Sequence, residues 1–228
     1  MIGFSDIAEN GAGTENLDMH TNIKLSDRMN YQEDDAFWKA EFQKAHEEAE
    51  TDLYDRLLSE VFNRSEDEIS IDFNITDDIK SALEKINNSD WDTMNTESQL
   101  SALKEFVSAI GKELGMKNLP NVVVSPDCDD AYGKYDPESN TIKLNKDYLS
   151  NAAEFVDTVT HELRHAYQHE RAEICETHED ALFKVNFDNY ISPVSLPAGG
   201  CIFFMDYYNQ YIEVDARAFA NIFTEAMK

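Results

Sequence analysis

The chain is poor in basic residues, cysteine, proline and long apolar runs, and each shortage removes a class of function. Only 19 Lys and Arg stand against 46 Asp and Glu, a formal charge of −27. A surface of that sign repels phosphate backbones and anionic lipid, which argues against nucleic acid and membrane as principal partners. The three cysteines, Cys128, Cys175 and Cys201, are odd in number and widely spaced, without a CxxC pair. That pattern argues against a cysteine zinc site and leaves free thiols, or at most one disulfide, as the expectation. No apolar stretch approaches the ~20 residues of a membrane helix. The start, Met1-Ile2-Gly3-Phe4-Ser5-Asp6, lacks the basic and apolar regions of a secretory signal. A soluble protein is expected, either cytoplasmic or exported without a recognisable signal peptide.

What is present suffices for a substantial core: 42% hydrophobic residues, with 13 Phe, 10 Tyr and 2 Trp in 228 residues. Residues 1–33 hold Gly, Asn, Asp and Ser and are expected to form a disordered tail. Residues 34–95 are expected to be a mainly helical extension. Phe37, Trp38, Phe42, Leu53, Leu57, Leu58 and Val61 recur at spacings of three and four, and Asp77–Ile86 repeats the pattern. Ile69-Ser70-Ile71-Asp72-Phe73 alternates and is either a strand or an extended connector. Residues 96–228 carry the remaining signals. A helix is expected over 97–114, stopped at Gly115, then a strand over 121–125. A hairpin follows, with arms 131–135 and 141–145 around Asp136-Pro137-Glu138-Ser139-Asn140. The spacing then predicts a helix over 151–170, a mostly irregular stretch containing Pro193, Pro197 and Gly199-Gly200, and one closing helix over 207–227. The fold class is α+β, with a small antiparallel or mixed sheet.

Within the 151–170 helix, His161-Glu162-Leu163-Arg164-His165 is the stretch richest in chemistry. Side chains four apart on a helix lie one above the other, so both imidazoles face the same way. Two imidazoles leave room on a Zn²⁺ ion for a third protein ligand and a water, and Glu162 is placed to accept that water's proton. This is the HExxH signature of zinc peptidases. The plainer reading is a surface helix with a polar back, since Phe155, Val156, Val159 and Leu163 make an apolar stripe opposite the histidines. Glu162 and the preceding strands tilt the balance toward metal, provided the chain after residue 170 covers the histidine side. His169 shares that face, but His161 and His169 are about 12 Å apart along the axis, which makes His169 a rim residue. His178 is a weaker candidate for a place near substrate.

For a third ligand, the HExxHxxGxxH arrangement is excluded, because Arg171 stands where its last histidine would be. A carboxylate on the closing helix is the alternative. Glu213 shares an edge with the small Ala216 and Ala220, which would let two helices approach, and is preferred over Asp215. Strand, hairpin, HExxH helix and a later Glu-x-Asp-Ala-x-x-Phe-Ala helix together resemble a compact gluzincin. Within that group the chain is similar to ImmA/IrrE-type minimal metallopeptidases and to toxin-associated metallopeptidase domains. The likeness covers about residues 97–228, and Arg217 departs from the acid that thermolysin-like enzymes carry four residues after the ligand Glu. The resemblance implies a zincin-like domain with one Zn²⁺ per chain, and a substrate strand added to one arm of the hairpin. It also raises the question of an inhibitor or immunity partner, which no residue pattern identifies.

The function expected is therefore a zinc-dependent peptidase acting on protein or peptide, with His161, His165 and Glu213 as ligands and Glu162 as general base. Tyr207, Tyr208, Tyr211 and His178 are open candidates for an oxyanion donor. Two other readings stand beside it. One is a non-catalytic metal-binding or interaction module; the other is a toxin or regulatory protease with a single target, motivated by the helical extension.

Overall fold

The computed structural model describes residues 31–63, 69–88, 90–126, 128, 131–145, 147, 152–195 and 201–228. The tail expected over residues 1–33 lies, up to residue 30, outside the described residues. The chain divides into two compact units, Met1–Arg56 and Leu57–Lys228. Helix α1 (Tyr31–Asn63) begins in the first and ends in the second.

The second unit is α+β. Helices α2 (Asp77–Ile86) and α3 (Thr96–Glu113) are followed by β1 (Asn121–Ser125), β2 (Gly133–Asp136) and β3 (Thr141–Asn145). Then come α4 (Ala152–Ile174), α5 (His178–Asp188), a two-residue ribbon of β4 (Val194–Ser195) and β5 (Cys201–Ile202), α6 (Phe204–Asn209) and α7 (Tyr211–Ala226). Local chemistry fixes the ends. Thr76 caps α2 and Asn95 caps α3, each accepting a backbone N–H of the first turn. Gly115, at φ 70°, ends α3: Met116 N–H bonds Gly111 O and Gly115 N–H bonds Lys112 O, a Schellman closure. Ile69–Phe73 is not a strand; it is an irregular connector, with Ile71 and Phe73 packed against the core.

The strand order is β1-β3-β2, with β1 parallel and β2 antiparallel to β3. β2 is therefore an edge strand. One buried cluster joins Ile79, Leu83 and Ile86 of α2, Leu103, Phe106 and Ile110 of α3, Ile142 and Leu144 of β3, Phe155, Val159 and Leu163 of α4, and Phe219 and Phe223 of α7. Phe73, Phe219 and Phe223 meet edge to face at centroid distances of 5.2 to 5.6 Å. Gly133 lets β2 lie against α4, since a Cβ there would stand 2.8 Å from Thr158 Cγ2 and 2.9 Å from Lys143 O.

Two expectations are corrected. The stretch after α4 is not mostly irregular, because α5 occupies His178–Asp188. A capping box starts it: Thr177 accepts Asp180 N–H while the Asp180 carboxylate accepts Thr177 N–H. Ala181, Leu182, Phe183 and Val185 then bury it. The closing helix is two helices, broken at Gln210, whose backbone is extended (φ −66°, ψ 148°). The Gln210 side chain is fully buried. Its Oε1 accepts from Asn186 Nδ2 and Ile191 N, and its Nε2 donates to Ile191 O. Asn186 Oδ1 in turn accepts Ile212 N–H. These bonds fix where α7 begins.

Candidate metal centre

α4 is covered on both sides. Its apolar stripe faces the sheet and α3, while α5 and α7 pack against the rest. Arg164, in the middle of the HExxH stretch, is buried at 4% exposure. Its Nε lies 2.7 Å from Asp215 Oδ2 and its Nη2 2.9 Å from Asp215 Oδ1, a two-pronged bond between α4 and α7. The guanidinium also lies 4.7 Å from the ring centre of Tyr167 and 5.2 Å from that of Phe219. Asp215 is thus occupied as the Arg164 counter-ion. Two residues earlier, Glu213 turns to the other side of α7, toward the histidines.

The donor atoms of His161, His165 and Glu213 all lie within 4.8 Å of one another. The two Nε2 atoms are 3.0 Å apart, and Glu213 Oε2 is 3.4 Å from that of His161 and 3.6 Å from that of His165. A tetrahedral zinc ion with bonds of about 2.0–2.1 Å requires edges of about 3.3–3.4 Å between its ligand atoms. The triangle averages close to that edge, and its donor set of two imidazoles and a carboxylate suits zinc. The residues therefore fit the ion.

Surrounding bonds orient these groups. Gln168 Nε2 donates to Ile212 O (3.0 Å) and to Asp215 Oδ2 (2.6 Å), which leaves Gln168 Oε1 to accept from His165 Nδ1–H at 2.8 Å. In the neutral ring that a metal ligand must be, this bond puts the proton of His165 on Nδ1 and leaves the Nε2 lone pair toward the centre. Glu213 is 2% exposed, and its other oxygen, Oε1, accepts the Tyr190 hydroxyl at 3.2 Å. Burial opposes the charge on both partners, yet the pairing prevails. Glu213 and Glu162 bring the His165 pKa up to about 9, and the imidazoles hold Glu213 well below the carboxylate range. This is the electrostatics of a cation site.

A cleft of about 730 Å³ opens over the triangle, between β2 and the residues Phe187, Tyr190, Ser192, Pro193 and Tyr207. Glu162 lines it, and its Oε2 accepts Tyr135 N–H at 2.7 Å from edge strand β2. His169 lies on the rim, stacked on Phe187 at 3.8 Å; burial and then the His165 charge lower its pKa to about 4, so it is neutral. Of the residues considered as oxyanion donors, Tyr207 lines the cleft. Tyr208 instead lies under Arg217 at 3.5 Å, Tyr211 is buried on Phe183, and His178 is exposed 3.0 Å from Glu60. Tyr190, which no local sequence signal marks, joins Tyr207 in the cleft. Burial, then the Glu213 charge, raises both phenols well above their ordinary range, so both are protonated donors. Cys128 also lines the cleft, but its thiol points to Ser125 O and Lys143 O and is not one of the converging donors.

A family model of the Peptidase M76 family matches residues 84–181. The match spans α3, the sheet and the helix that carries His161, Glu162 and His165, and ends before Glu213; it supports a metallopeptidase. No curated protein and no solved structure matches the chain. Among the described residues, no helix is long and apolar enough to cross a membrane.

Proposed function

We propose that the chain is a zinc-dependent peptidase of gluzincin type, with His161, His165 and Glu213 as ligands and Glu162 as general base. The observation that carries this reading is the donor triangle, with edges of 3.0, 3.4 and 3.6 Å, at the floor of an open cleft. Three protein donors and an open side favour catalysis over a structural site, which takes four. When bound, the zinc ion acidifies a water and polarises the scissile carbonyl.

The chain's own residues do the rest. Tyr135 N–H holds one oxygen of Glu162, and the other is left to accept a proton and return it to the leaving amine. Tyr207 supplies a protonated hydroxyl where negative charge develops on the carbonyl oxygen, while the Tyr190 hydroxyl donates to Glu213 and holds that ligand in place. Edge strand β2 offers backbone to an extended peptide, which would lie across the cleft as a further strand.

Metal content of the protein and of three variants tests this. The wild type should hold one zinc per chain, while His161→Ala and Glu213→Ala should lose it. Glu162→Gln should keep zinc and lose peptide cleavage by about 10²-fold or more. Undiminished turnover in Glu162→Gln would remove the base from the mechanism, and full zinc in Glu213→Ala would remove the third ligand.

A further inference from the structure

Among the described residues, exposed large apolar side chains follow one another along the chain at Ile202, Phe203, Phe204 and Met205, beside the β4–β5 ribbon. Val194, Ile202, Phe203, Phe204 and Met205 show between 43% and 61% of their surface. Val194 and Ile202 are directly paired across the ribbon, and Phe203 to Met205 follow without a break. No charged side chain interrupts them, in a chain of net charge −27. Contiguous apolar exposure of this kind marks a binding surface.

Phe203 makes the case sharper. Its backbone is left-handed (φ 59°, ψ 14°) at the start of α6, a conformation that suits glycine and strains an aromatic residue. The residue is more than half exposed, so core burial does not explain it. Such strain recurs where a side chain is held for a ligand.

The surface is continuous with the cleft. Ser192 and Pro193, which line it, run directly into Val194, and the Phe204 ring meets Tyr207 at 6.3 Å. Tyr207 meets Tyr190 at 6.2 Å, and Tyr190 bonds Glu213. An unbroken aromatic path thus leads from the metal triangle to the exposed patch. A second copy of the chain is a poor occupant, since five residues fall far short of the roughly 20–30 per side of a stable dimer. An anionic membrane is repelled by the overall charge.

We infer that Val194, Ile202, Phe203, Phe204 and Met205 extend the cleft as an apolar wall that holds the large apolar side chains of an extended polypeptide substrate. The inference deepens the peptidase reading and rests on it for the word substrate; the surface itself can be tested without cleavage.

The test uses the zinc-loaded full chain in the Glu162→Gln background. Its probes are a fluorescein-labelled peptide with alternating Leu and Phe, and a twin with Ser at those positions. Anisotropy should show the apolar peptide binding at least about tenfold more tightly than its twin, the factor that burying one or two large side chains gives. Phe203→Gly, and separately the Ile202→Ser/Met205→Ser pair, should bring the two affinities within about threefold. Phe203→Gly should do so with an unchanged or raised melting temperature, because glycine relieves the left-handed strain; a role in the fold alone would lower it.

Equal affinity for the twins, or a preference that survives both sets of substitutions, overturns the inference. So does a dimer in sedimentation, or binding to neutral phosphatidylcholine vesicles, that disappears in the Ile202→Ser/Met205→Ser variant. Cleavage of the peptides by the wild type is scored apart. Selective binding without cleavage counts against the peptidase and keeps the wall; cleavage without selectivity does the reverse.

Discussion

Replacing Asp215 by Asn should destabilise the protein before any metal is considered. The Arg164 guanidinium, 4% exposed, is held by two bonds of 2.7 and 2.9 Å to that carboxylate. Removing one partner of a buried ion pair strands the other, at a cost of about 3–5 kcal/mol. Glu179, 3.5 Å from Arg164 Nη2 and half exposed, still carries part of the charge and puts the loss near the lower end, about 3 kcal/mol. For a domain of this size each kcal/mol moves the melting temperature by about 2–4 °C, so a fall of about 6–12 °C is expected. Melts in excess EDTA, followed by circular dichroism, isolate the folding term from zinc binding. The double variant Arg164→Met/Asp215→Leu should recover most of the loss, since an apolar pair removes the stranded charge. A single Asp215→Asn variant melting within 2 °C of the wild type would refute the view that this pair ties α4 to α7.

Two further outcomes follow from the bonding around the centre. Gln168→Leu removes the acceptor of His165 Nδ1–H and should weaken zinc binding by about 10–100-fold in a chelator competition; an unchanged affinity would mean that something else sets the tautomer. At Asp180, burial alone would raise the carboxyl, but bonds from Arg171 and from the N–H groups of Glu176 and Thr177 hold it below its ordinary value of 3.8. A depressed folded pKa means the stabilisation is complete above about pH 5 and is lost as pH falls below about 4. Asp180→Asn should therefore cost about 2 kcal/mol in urea unfolding at pH 7 and less at pH 3; a gap of equal size at both pH values would contradict it.

Periodicity and spacing make much of this molecule legible. The strand at 121–125, the hairpin and the helix bearing His161 and His165 follow from short-range patterns, and the structure has all three. Glu213 stands out because it is an isolated acid among apolar residues beside Ala216 and Ala220. The misses have non-local causes. α5 buries Ala181, Leu182 and Phe183 in succession, so it shows little periodicity, and only the Thr177–Asp180 capping pair signals its start. The break at Gln210 depends on Asn186, which lies 24 residues away in sequence. Tyr190 becomes a cleft residue only through its bond to Glu213, and the role of Asp215 becomes apparent only once Arg164 is seen to be buried against it.

The interruption at Gln210 separates two jobs that a continuous helix would have coupled. Because Asn186 and Gln210 anchor the origin of α7 to α5, Glu213 keeps its position irrespective of how the preceding ribbon and α6 are arranged. Rewritten side chains at Val194, Ile202, Phe203, Phe204 and Met205 would then change the exposed apolar face without moving Glu213.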